Sequence, residues 1–252
     1  MDRGIYAAGS GGLLESRRLQ VTANNMANVS TVGFKAQRLV AREQEFGDTL
    51  AATLTDTPSR VTGDHERIPG VTDVQTITDF TPGPVSNTGN PLNVALRDPD
   101  TFFVVNTPEG ELYTRAGNFT LDSQGILTTP DGYPVLGEGG PITINQGSPR
   151  ISSSGAVTSD GTLVGRLRTV RVEDLTQLER KDGARFALPG GGEALPVRAD
   201  VIPESVEMPN VNVVESMVDM MGAQRSFEAY TKTVQTIDEL NSAALRTARI
   251  TG

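Results

Sequence analysis

The sequence predicts an α+β fold in which paired, coiled-coil-like helices at the two ends of the chain bracket an antiparallel β domain. Three observations predict it: a stripe of small and apolar residues through positions 2–28, heptad spacing through positions 210–248, and a middle rich in Gly and Pro whose short apolar runs are separated by turn sequences. The chain divides accordingly into 1–34, a helix and the motif that ends it; 35–70, a connector; 71–206, the β domain; and 207–252, a helix that pairs with the first.

In the first helix Ile5, Gly12, Leu19 and Met26 recur every seventh residue, with Ala8, Leu13, Ala23 and Ala27 nearby, so a narrow stripe faces a partner. Gly9, Gly11 and Gly12 each weaken the helix by about 1 kcal/mol relative to Ala. Such glycines suit a helix that another helix approaches closely; a loop over 9–12 followed by a shorter helix is the alternative. Residues 37–54 read as a helix or an extended arm, and 55–70, rich in Thr, Pro and Gly, as a connector with little structure of its own.

Strand signals begin near Val71. Leu92-Asn93-Val94-Ala95-Leu96 alternates, Phe102-Phe103-Val104-Val105 is β-rich, and Glu109-Gly110 forms a turn before Glu111-Leu112-Tyr113-Thr114-Arg115. Asn118–Asp122 and Ile126–Thr129 flank the turn Ser123-Gln124-Gly125, and Asp131-Gly132 precedes Tyr133-Pro134-Val135-Leu136. Turns every eight to twelve residues or so argue an antiparallel β domain. Gly165–Val172 alternates apolar and basic residues, which predicts one strand with a face toward solvent or a neighbour.

The last helix follows Pro209, with Asn210 or Asn212 available as its cap. Val213, Met220, Phe227, Val234, Asn241 and Ala248 share one heptad position, and Ala223, Tyr230, Ile237 and Ala244 a second. The pattern predicts a seam five heptads long, about 50 Å of helix. The alternative is a helix buried in a globular core.

Composition excludes several functions. A net charge of −9 disfavours a general nucleic-acid binder, although the first 38 residues are basic, five cations against two anions. The absence of Cys removes disulfides, thiolate metal sites and cysteine nucleophiles. No run approaches the roughly 18 apolar residues of a membrane span, and Ile5-Tyr6-Ala7-Ala8, broken by glycines, is too short for a secretory signal. No catalytic, cofactor or metal site emerges. His65 stands without further His or Cys ligands. Gly137-Glu138-Gly139-Gly140 and Gly190-Gly191-Gly192 lack the Lys-Ser/Thr of a phosphate loop and read as turns. Asp98-Pro99-Asp100 is more economically a tight turn than a pair of acid–base carboxylates.

Ala23-Asn24-Asn25-Met26-Ala27-Asn28, followed by Thr31-Val32-Gly33-Phe34-Lys35, resembles the N-terminal signature of bacterial flagellar rod and hook proteins. Three further segments agree in order: Gly89–Ala95 with Phe102-Phe103, Tyr113–Phe119, and Asn210–Met217 with Gln224–Ala229. The beginning Met1–Tyr6, and Val164-Gly165-Arg166-Leu167 ahead of Leu178-Glu179-Arg180, most resemble members of the proximal rod, with distal-rod members the main rival. The chain departs from the family at Asn93 and at Arg97-Asp98-Pro99-Asp100, where the family usually shows Asp and a glycine-rich turn.

The resemblance implies a subunit without enzymatic activity or cofactor. It implies export by the flagellar type III apparatus without a cleaved signal, and assembly in the periplasmic rod of the basal body. The implied partners are copies of itself, other rod proteins and the surrounding ring bushing, without nucleic acid or a membrane span. Ile5, Gly12, Leu19, Met26, Val213, Met220, Phe227, Tyr230, Val234 and Ile237 are then the expected assembly interface. Asn24, Asn25, Asn28, Gly33 and Phe34 form the expected junction, where turns and amide side chains cap the helix and redirect the chain. A peptidoglycan-directed enzyme or binding module is the alternative from another class.

Overall fold

The computed structural model describes residues 2–45, 69–145, 147–189 and 194–250; His65 and Gly190-Gly191-Gly192 lie outside them. The chain divides into two compact units. One comprises Met1–Met26, Gln37–Ile77 and Val213–Gly252; the other comprises Ala27–Ala36 and Thr78–Asn212.

The first unit is helical, with one pair of strands. Helix α1 spans Asp2–Ala27 and α2 spans Val213–Ile250. The glycines do not open a loop, because α1 runs unbroken through them. A Cβ on Gly11 would stand 2.5 Å from Cε1 of Tyr230, and one on Gly12 would stand 3.7 Å from Cβ of Tyr230. Gly11 therefore makes room for an aromatic ring of α2. Ala8, Thr22 and Ala223 are buried.

Residues 37–45, read from sequence as part of a helix or arm within a connector, form the strand Gln37–Glu45, which pairs with Pro69–Thr78. Half-buried and exposed positions alternate from Gln37 to Val40. That is the two-residue period of a strand, and pairing supplies partners to backbone groups that a bare arm would leave to water.

The second unit is built on six strands in the spatial order Glu179–Asp182, Arg185–Ala187, Gly110–Thr114, Thr101–Thr107, Thr169–Val172 and Ala194–Val197, each antiparallel to its neighbours. Successive side chains of a strand point to opposite faces. Phe103 and Val105 accordingly join a core with Phe119, Leu127, Val135 and Val157, while Phe102 and Val104 join another with Val170, Leu178 and Phe186. The continuous apolar run at 102–105 thus reports a strand covered on both faces.

A three-stranded sheet of Pro149–Ile151, Ala156–Ser159 and Thr162–Arg166, together with short two-stranded ladders, completes the unit. Two of these ladders pair Val201–Pro203 with Val94–Leu96 and Ser205–Glu207 with Val85–Asn87. The single strand expected over 165–172 is divided. Leu167 turns into the first core between Thr162–Arg166 and Thr169–Val172. Arg168 pairs with Glu111 at 2.9 Å, and Arg171 with Asp98 and Asp100 at 3.2 and 3.1 Å.

Candidate functional site: signature junction and helix faces

The segment that follows α1 is folded into the β unit. Thr31 N donates to Asn28 O at 3.0 Å and its hydroxyl to Asn28 Oδ1 at 3.2 Å, which closes the turn. Gly33 has φ +68°, and a Cβ there would collide with the backbone nitrogen of Ala116. Only glycine fits both the backbone and the space. Gly33 N donates to Glu207 O at 2.8 Å. Phe34 is buried, with the Arg180 guanidinium 4.5 Å from its ring centroid and 5.1 Å from that of Phe186. Arg180 also donates to the carbonyls of Lys35 and Gly183. Burial lowers its pKa to about 10, which leaves it charged at neutral pH.

Lys35 enters a cluster of three buried charges. Its Nζ lies 2.7 Å from Glu207 Oε1, and Arg115 Nε lies 2.6 Å from Glu207 Oε2, with side-chain exposures of 1%, 1% and 2% for Lys35, Arg115 and Glu207. The surplus donors are used: Lys35 donates to Thr81 O at 2.8 Å, and Arg115 Nη1 to the carbonyls of Asp98, Pro99 and Thr101 at 2.8, 3.0 and 2.8 Å. Gly83 N adds a bond to Glu207 Oε1 at 3.0 Å.

Burial alone would raise the Glu207 carboxyl, but Arg115 and Lys35 overcome it and hold the group below the usual carboxylate range. Burial lowers the Lys35 ammonium against the pull of Glu207. An arrangement this fully bonded, with two cations on one anion, offers no open position for a substrate. Its physical effect is registry: it tolerates one alignment of three segments that are distant in sequence.

Two asparagines complete the junction. Within the helical unit, Asn25 donates from Nδ2 to Gln37 O at 2.8 Å and accepts at Oδ1 from Gln37 N at 2.9 Å, as a neighbouring strand would. Within the β unit, Asn210 Oδ1 accepts from Ala36 N at 2.7 Å, and its Nδ2 donates to Asp79 O at 2.8 Å and Thr81 O at 3.1 Å. Asn210 is therefore a clamp on two other segments rather than the cap of α2, and Asn212 is the residue that precedes the first helical position. Asn24 is exposed.

Of the expected interface residues, Gly12, Leu19, Met26, Met220, Val234 and Ile237 are half-buried, and Val213, Phe227 and Tyr230 are just exposed. Ile5 lies in α1, its side chain outside the described set. A second apolar stripe was not marked by the heptad reading. Val214 (71% exposed), Met217 (49%), Val218 (58%) and Met221 (53%) lie at i, i+3, i+4 and i+7. At about 100° per residue this stripe is centred about 120° around α2 from the seam residues beside it, Val213, Met220 and Ala223.

Sequence reasoning also missed the charge cluster. Lys35 and Arg115 stand within the signature segments with no role legible there, and Glu207 stands outside those segments. The one local signal was a lone charge within strand-like sequence; partners 92 and 172 residues apart leave no linear trace. Among the described residues no group of three or more His, Cys, Asp or Glu is placed to hold a metal ion, and no helix is long and apolar enough to cross a membrane.

Three family models match. Residues 5–35 match "Flagella basal body rod protein", residues 98–164 "Flagellar hook protein FlgE/F/G D1 domain", and residues 202–247 "Flagellar basal body rod FlgEFG protein C-terminal". Each member of the charge cluster lies in one of these matched segments. Among relatives, the flagellar basal-body rod protein FlgF of Salmonella typhimurium is 34% identical over 261 residues, covering 95% of each chain. FlgF of Caulobacter vibrioides is 30% identical over 249 residues, 97% of each. The rod protein FlgG of Bacillus subtilis is 33% identical over 265 residues, 95% of this chain and 97% of its own. On that identity over nearly its whole length, the chain belongs to the flagellar basal-body rod protein family.

Proposed function

We propose that this chain is a FlgF-type subunit of the proximal rod that transmits torque by helix packing alone. One observation carries the reading: among the described side chains α2 leaves a row of large apolar residues exposed and α1 leaves Leu13, whereas the β unit exposes a few, Leu163 foremost, around filled cores, so the helices are the part most in need of neighbours. Similarity to FlgF relatives over nearly their whole length supports the FlgF type, and the FlgG relative marks the distal rod as the rival position. Export by the type III apparatus, a periplasmic site and contact with the ring bushing belong to the same reading.

The test is replacement of the chain in a strain lacking it. Motility returns and the chain is found in purified basal bodies; accumulation outside basal bodies in a non-motile strain overturns the reading. A peptidoglycan-directed enzyme would release reducing ends from purified cell wall. No release is expected, and release abolished by one carboxylate substitution would establish the rival class.

A further inference from the structure

The outer stripe of α2 has a shape and border that select a partner. Its four apolar residues occupy the first turns only; further along the same side the helix presents Arg225, Glu228 and Lys232. The patch is therefore bounded, about the footprint of one crossing helix. Exposed Glu215 borders it, one turn before Val218.

The exposed side of α1 carries the complement. Among the described side chains of α1, Leu13, 70% exposed, is the exposed large apolar residue, and exposed Arg17 follows one turn later on the same side. From the apolar residue to the charge is about 6 Å toward the C-terminus on α1 and about 4.5 Å toward the N-terminus on α2. Apolar meets apolar and cation meets anion when the helices run antiparallel.

We infer that the outer side of α2 receives α1 of a second copy of this chain, with Leu13 seated among Val214, Met217, Val218 and Met221 and Arg17 paired with Glu215. The inference rests on the rod-subunit reading and adds to it the face used and the element that fills it. The heptad seam of α2 adjoins the stripe at Val213 and further along includes Tyr230, which lies on Gly11 of its own chain.

The chain has no cysteine, so L13C and V218C each introduce a unique thiol. Both variants are co-expressed in the strain lacking the chain, and purified basal bodies are oxidised. A disulfide joining the two substituted positions is expected, with neither variant alone giving a dimer. Adding R17E to the L13C chain should lower the yield about fivefold, the upper range for one exposed ion pair. E215R on the V218C chain should then restore it.

Two results overturn the inference while the rod reading stands: both variants in basal bodies without the cross-link, or a benzophenone on V218C joined to residues 46–68 of its own chain or to a different rod protein. Absence of the unsubstituted chain from basal bodies overturns both.

Discussion

The two units treat apolar residues in opposite ways. In the β unit Val94, Phe102, Phe103, Val104, Val105, Leu127 and Phe186 are sealed from solvent, in cores on either side of one strand. Among described side chains of the terminal helices, only Ala8 and Ala223 of the apolar residues are buried; Leu13, Val214, Val218 and Leu240 stand largely in water. Burial contributes about 25 cal/mol per Å² of apolar surface. The β unit has collected that contribution within one chain, whereas α2, about 57 Å long, has collected little of it. The first closes cores of its own; the described part of the second leaves most of its large apolar side chains at least partly in solvent.

The largest effect should come from the charge cluster, where the β unit depends on pairing rather than apolar contact. Glu207→Gln keeps the shape but leaves Lys35 and Arg115 as buried cations without an anion, and should cost about 3–5 kcal/mol. Glu215→Gln, the same change on an exposed helix position, should stay within about 0.5 kcal/mol. Urea unfolding of the full chain, followed by the β-sheet circular dichroism, compares the two. Equal midpoints would mean that the cluster is a passenger.

Next is Gly33→Val. A β-branched residue at φ +68° is strained, and its Cβ meets the backbone of Ala116. The expected loss is about 3 kcal/mol. Pairing it with Phe34→Ala also empties the space under Arg180, and normal assembly of that double variant would remove the junction role of these residues.

Acid should affect the β unit through Glu207. Its folded pKa lies below the unfolded value of about 4.3. Between the two values the unfolded chain binds more protons, so stability rises with pH there. The contribution is whole above about pH 4.3 and is lost as the pH falls through the folded pKa. In Glu207→Gln this part of the acid slope should be missing, and an unchanged slope would assign acid sensitivity to other carboxylates.

The sequence displayed what is local. Gly110, Gly125 and Gly132 marked turns that need positive φ, and the structure gives them +114°, +77° and +88°. The heptad of α2 is legible because repetition is visible in a linear string. What depends on distant partners stayed hidden: the strand Gln37–Glu45 is specified by pairing with Pro69–Thr78, and Glu207 by cations from two other segments. The stripe Val214–Met221 was hidden for another reason. A reading tuned to one seven-residue register passes over a shorter stripe in another, and both cross the same two turns.

The smallest predicted effect separates helix propensity from helix contact inside α1. Gly9 and Gly11 are both helical, and Ala is favoured over Gly by about 1 kcal/mol in such positions. A Cβ on Gly9 meets nothing within 4 Å, so Gly9→Ala should collect the whole gain. A Cβ on Gly11 meets the Tyr230 ring at 2.5 and 2.6 Å, so the ring must swing away and its contact with α1 is lost. The gain and the loss are of similar size, and Gly11→Ala should leave stability within about 0.5 kcal/mol of the parent. In a Tyr230→Ala background the obstruction is gone, and the same substitution should stabilise α1 by about 1 kcal/mol. Amide hydrogen exchange along α1 reads the double-mutant cycle. Equal gains in both backgrounds would mean that Tyr230 does not hold the two helices together in solution, and Gly11 would then be no different from Gly9.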